Sequence, residues 1–144
     1  ERGGKSLAAP NLPEKERALL AEACAEKGVA FIASGLRDHP PAAAVTLARW
    51  GVAETGTLVL DAPSEDERLA TMLPDLHVAV LRAEDVVPDL ASIEDDLRTR
   101  LGAGASYLTF ISGPSRTADI ERVLTLGVHG PVALHVLIVK EPGR

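Results

Sequence analysis

This 144-residue sequence predicts an α/β fold with a mostly parallel sheet. Short, largely apolar runs at 29–33, 77–81, 107–111 and 134–139 alternate with segments of helical patterning. Strands of that kind are covered on both faces, as in sheets built from strand–helix–strand units. A third observation adds an antiparallel element: two β-type runs between Trp50 and Asp61 flank Thr55-Gly56, the composition of a hairpin or bulged bend. The expected sheet has about five or more strands, with 107–111 and 134–139 as parallel neighbours joined by a right-handed crossover.

Each element has a local reason. Gly3-Gly4 and Asn11-Leu12-Pro13 mark a loose N-terminal segment. A helix starts near Pro13, with Glu14 and Glu16 in its first turn and Leu19, Leu20, Ala23 and Cys24 following; Gly28 is its C-terminal stop. Cys24 reads as a small buried hydrophobe on that helix. Residues 29–33 form a buried strand. Asp38-His-Pro-Pro41 is a loop, because consecutive prolines remove donors and fix φ. Ser64 with Glu67 three residues on is a capping box that opens a short helix ending before Pro74. His77 stands at the start of the next strand, where a single histidine serves as a hydrogen-bonded structural group. Leu90, Ile93, Leu97 and Leu101 share one face of an amphipathic helix closed by Gly102-Ala-Gly104.

The stretch from Tyr107 to Val139 carries the most chemistry. Tyr107, Thr109, Phe110 and Ile111 favour a strand, which Gly113-Pro114 stops. Ser115 or Thr117 can then cap a helix in which Asp119 and Glu121 meet the positive end of the dipole and Ile120, Val123 and Leu124 form a stripe. Ligands of open α/β sheets collect beyond strand carboxyl ends. The Gly113, Pro114, Ser115, Arg116, Thr117 turn is therefore a candidate anion site, with backbone N–H groups and an Arg116 fork as donors. The plainer reading keeps the same residues as a turn, a cap and a solvated arginine. Glu54, at a strand end beside Thr55, Gly56 and Thr57, is a candidate base or a residue that holds its own turn. Asp119 is a candidate acid. His129, in a Gly127-x-x-Gly130-Pro131 turn, either titrates at a site or bonds backbone. Glu54 and Arg116 are expected to share one cleft.

Three blocks together resemble a known family. They are Ser-Gly-Pro-Ser-Arg-Thr-Ala-Asp-Ile-Glu (112–121) followed by Gly-Val-His-Gly-Pro (127–131), Ala-Glu-Thr-Gly-Thr-Leu-Val-Leu (53–60), and the weaker Leu-Pro-Asp-Leu-His-Val-Ala-Val (73–80) with Val86-Val87-Pro88. In this order they resemble the LUD domain, the family of lactate-utilisation protein C, also called LutC/YkgG-like. The resemblance covers roughly residues 45–139 and no motif in 1–44. It implies a Rossmann-like, three-layer α/β/α fold, grouped with ribose-5-phosphate isomerase and the CoA transferases. It also implies a role in oxidising L-lactate to pyruvate beside iron–sulfur partner proteins. Family members are longer, so 1–144 is expected to be one LUD-type domain, incomplete at its N-terminus and lacking material near 36–44.

Composition sets limits. Hydrophobic residues are 46% and charged residues 25%, ordinary for a globular domain. A net charge of −6 and a pI near 5.2 exclude nucleic acid as the main partner, since phosphate binding needs clustered cations. No apolar run approaches the ~18 residues of a membrane span, and a cytoplasmic location is expected. Cys24 is the single cysteine; an iron–sulfur cluster needs about four thiolates, so clusters are expected only in partners and no cofactor or metal in this chain. No G-x-G-x-x-G, Walker A or nucleophile-elbow pattern occurs. Three functions stay open: the cluster-free subunit of a lactate-utilisation system, an isomerase/CoA-transferase-like enzyme on a small phosphorylated or carboxylated metabolite, and a non-catalytic interaction domain. Whether the chain is itself an enzyme stays open with them.

Overall fold

A computed structural model describes residues 5–102, 107–117, 125–126 and 130–140. Strand β1 (Ser6–Ala8) runs into Pro10 and leads to helix α1 (Glu14–Glu26), whose first turn carries Glu14 and Glu16. Strand β2 (Ala30–Ile32) and strand β3 (Ala43–Leu47) follow. Strands β4 (Trp50–Val52) and β5 (Thr57–Asp61) make the expected hairpin. Helix α2 (Glu65–Ala70) opens on the expected capping box: Ser64 Oγ accepts from the Glu67 N–H, and Glu67 Oε2 accepts from the Ser64 N–H. Strand β6 (Leu76–Arg82), a two-residue strand β7 (Val86–Val87) and helix α3 (Glu94–Gly102) come next. The chain closes with β8 (Leu108–Ile111), β9 (Arg116–Thr117), β10 (Thr125–Leu126) and β11 (Ala133–Val139).

The mostly parallel sheet is present, with five strands in the order β11-β6-β3-β1-β2, every pairing parallel. A second sheet, β7-β4-β5-β8, lies apart from it; β5 is antiparallel to both β4 and β8. The hairpin is therefore part of this second sheet rather than an edge of the first. The expected adjacency of 107–111 and 134–139 is also corrected. β8 pairs with β5, and β11 pairs with β6 in the other sheet. Pairing in register with Leu58–Asp61 gives 108–111 an antiparallel partner that the residues of the strand alone do not reveal.

The two sheets stack face to face. Leu58 and Leu60 of β5 meet Ala79 and Leu81 of β6, with Ala48, Ile111 and Leu134 around them. Gly51 leaves room at this contact: a Cβ there would lie 2.4 Å from Leu81 Cδ2, so the buried Leu81 side chain would have to shift. Ala8 and Ala44 pack under Leu36, Leu69 and Ala70, so α2 and the Leu36 loop extend the same layer. On the outer face of the second sheet, Trp50, Val52 and Val59 pack against Ile93 and Leu97, the inward side of α3. Leu90 and Leu101, expected on that face, are exposed. The connection before β3 is tied down: Asp66 accepts from the Gly35 and Leu36 N–H groups, both at 2.9 Å. Among the described residues no helix is long and apolar enough to cross a membrane.

Candidate functional site

The antiparallel register sets the first contact of the site. Leu58 pairs with Ile111, which brings Thr57 opposite Ser112, one step past the end of β8. Their hydroxyls lie 2.6 Å apart, and Thr55 Oγ1 joins the same chain 2.7 Å from Thr57 Oγ1. Cross-strand Thr–Ser pairs of this kind tie sheet neighbours together. Beyond Ser112 the chain turns at Gly113, whose φ of 117° strains any residue with a Cβ. The turn is then fastened by the Ser115 N–H, which donates to Pro131 O at 2.9 Å. A Cβ on Gly130 would sit 3.3 Å from Ser115 Cβ, so the two turns are in close contact.

These turns enclose a cavity of about 350 Å³, together with Thr71, His77, Phe110, Ile111 and Leu134. His77 forms its wall. The imidazole is 1% exposed, and its Nε2 lies 2.7 Å from Thr46 Oγ1, itself 1% exposed. Burial pushes its pKa from 6.5 down to about 4, so the ring is neutral at pH 7. The described lining thus offers hydroxyls and a neutral imidazole, and no formal charge. The cavity opens beside the carboxyl end of β8 but at the amino ends of β6 and β11.

The sequence-derived site residues fare unequally. Thr57, Gly113, Pro114 and Ser115 come together here, with Thr55 linked through Thr57. Gly56 and Glu54 lie in the exposed hairpin turn; the Glu54 N–H donates to Pro88 O at 2.9 Å. Arg116 and Thr117 are extended. They form β9, antiparallel to Thr125–Leu126. The Ser115 N–H is already taken by Pro131, which removes it from the set of free anion donors. The expected helix across 118–124 lies outside the described residues, as do Asp119, His129 and the side chains of Arg116 and Thr117. The expected meeting of Glu54 with Arg116 falls outside them too. Sequence reasoning missed Ser112 and His77 as lining residues. Ser112 begins the signature block and His77 stands in the 73–80 block, and that membership was the available signal.

The LUD domain family model matches residues 15–139. This chain belongs to the LUD domain family. The match begins well before the first block that motif reading recognises. Among similar proteins, YkgG of Escherichia coli (strain K12) is 37% identical over 100 residues, 67% of this chain and 43% of that protein. Lactate utilization protein C of Bacillus subtilis (strain 168) is 33% identical over 100 residues, 67% of this chain and 42% of that protein. Lactate utilization protein C of Deinococcus radiodurans is 35% identical over 114 residues, 72% of this chain and 53% of that protein. The chain thus spans about half the length, or less, of the curated relatives it matches. A crystal structure of a DUF162 family protein from Deinococcus radiodurans shares the fold, with a TM-score of 0.59 over 96% of this chain and 89% of that one at 20% identity. The LUD-like blocks at 53–60, 73–80, 112–121 and 127–131 each have a described residue in or against this cavity, whereas Val86–Val87 lie in β7 and do not line it.

Proposed function

We propose that this chain is the LUD-domain part of a lactate-utilisation protein and binds the carboxylate of a small 2-hydroxy acid, L-lactate, in the cavity between the 112–115 and 130–131 turns. One observation carries the reading: blocks distant in sequence meet there, through Thr57 Oγ1–Ser112 Oγ at 2.6 Å and Ser115 N–Pro131 O at 2.9 Å. Hydroxyls and a neutral imidazole suit a small polar ligand, and Arg116, next in the chain after Ser115, is the cation of the signature that would balance a carboxylate. The family names support lactate as that ligand.

Oxidation of L-lactate to pyruvate breaks the C2–H and O–H bonds, forms the C=O bond, and releases two protons and two electrons. In this reading the electrons pass to iron–sulfur partner proteins in the cytoplasm, because a single buried cysteine cannot hold a cluster here. The chain's own share is to bind and orient the hydroxy acid. Calorimetric titration with L-lactate tests it. Saturable binding that falls about fivefold or more in Ser112→Val, as expected for loss of a hydrogen bond to a charged group, supports the reading. No saturable binding up to about 10 mM, a level already weaker than a typical metabolite site, or equal affinity in Ser112→Val, overturns it.

A further inference from the structure

The five-stranded sheet has a place where its strand order reverses. From β1 the chain moves outward through α1 to β2, then returns to the other side of β1 to form β3. In open α/β sheets the crevice outside the carboxyl ends of the strands at such a reversal is where ligands bind, because the two following connections leave on opposite sides of the sheet. Here a second cavity of about 350 Å³ lies at that point. Asn11 after β1, Arg49 after β3, Asp61 at the end of β5 and Arg82 at the end of β6 all line it, so the carboxyl ends of four strands converge.

The local structure holds the crevice open. β1 ends at Ala8 while β3 runs on to Leu47, and the Asn11 carboxamide takes the place of the missing strand. Its Oδ1 accepts from the Leu47 N–H at 2.9 Å and its Nδ2 donates to Leu47 O at 3.0 Å. The next two residues cross between the sheets: the Ala48 N–H donates to Val80 O and the Arg49 N–H to Val59 O, both at 2.8 Å. Arg49 is thereby fixed at the mouth, with its guanidinium 5.1 Å from the Trp50 ring centroid. Two of the lining carboxylates are committed elsewhere. Asp61 accepts from Arg100 Nη1 at 2.5 Å, and Glu67 caps α2. Among the described residues no carboxylate pairs with Arg49. An arginine laid on an aromatic face, fixed through its backbone and lacking an anionic partner, has its fork available for an oxyanion.

We infer that the switch-point crevice is a second small-molecule site, distinct from the signature cavity, whose ligand carries an oxyanion held by Arg49 and a hydroxyl or amino group held by Asp85. His77 and Arg82 mark the two cavities on the same strand, five residues or about 16 Å apart along it, too far for one small ligand to occupy both. A phosphate ester and a carboxylate share the oxyanion chemistry, and the test separates them.

Trp50 is the single tryptophan and lies under Arg49, so its fluorescence reports on the site. The chain is titrated with inorganic phosphate and, in parallel, with acetate, each against sodium chloride of equal ionic strength. Backbone amide shifts of Asn11, Ala48 and Arg49 are read alongside. Saturable change with either anion is expected, weakened about tenfold in Arg49→Gln and restored only in part in Arg49→Lys, which keeps the charge but not the fork. The anion that binds more tightly identifies the ligand class. If neither anion moves these amides beyond the chloride control, or if Arg49→Gln binds as wild type does, the inference is overturned.

Discussion

Acidification from pH 7 to 4.5 is expected to cost this protein about 2–3 kcal/mol through His77 alone. The ring is 1% exposed beside Thr46, and burial lowers its pKa from 6.5 to about 4. Unfolded, it titrates near 6.5. Between those values the unfolded chain binds a proton that the folded chain refuses, so stability falls as pH falls. The contribution is complete above pH 6.5 and is lost as the pH drops through the folded value near 4. The gap is worth about 3 kcal/mol in full at about 1.4 kcal/mol per pH unit, and most of it falls within the stated window. Urea unfolding of wild type and His77→Gln at pH 7, 5.5 and 4.5 measures it. The difference between the two proteins cancels other acid-labile groups, among them Glu65 and Asp89, whose carboxyls are held below their usual range by Arg37 and by Ser92. His77→Gln should lose less stability than wild type by that amount. Parallel curves for the two proteins would refute the reasoning.

Two further substitutions probe the frame that carries the site. Gly51→Ala forces a Cβ to within 2.4 Å of Leu81 Cδ2 between the stacked sheets, and should cost about 1–3 kcal/mol by chemical denaturation; an unchanged midpoint would mean the sheets separate freely there. Ser64→Ala removes the cap of α2 and should cost about 1 kcal/mol by the same measurement; a loss below about 0.3 kcal/mol would show the box to be idle, since Gly-type replacement of a cap already costs that little.

Local chemistry was legible wherever it was local in origin. Ser64 and Glu67 announce α2, Glu14 and Glu16 open α1, and Thr55-Gly56 turns the β4–β5 hairpin. Strands β1 and β3 were not read as strands. One is three residues long, and the other begins Ala43-Ala44 directly after two prolines, where alanine gives little strand preference. Alanine stands there because Ala8 and Ala44 are fully buried beneath Leu36 and Ala70, a tertiary demand with no sequence period. Sheet membership was hidden for a similar reason. Tyr107–Ile111 is apolar enough for a parallel core strand, yet Phe110 is 49% exposed because β8 lies in the second sheet beside β5. The family blocks marked the signature cavity in advance, although the route by which they meet, Thr57 against Ser112, needed the register. Asn11 and Arg49 carry no motif; only the strand order gives them a shared place.

The central claim is that the signature blocks build one site for a small 2-hydroxy acid, and amide chemical-shift mapping of the isotope-labelled chain with L-lactate tests it most directly. Saturable shifts should concentrate at Thr57, His77, Ser112, Gly113, Ser115 and Gly130, around the cavity they enclose. Shifts confined to Asn11, Ala48 and Arg49, or no saturable shift at all, would contradict it.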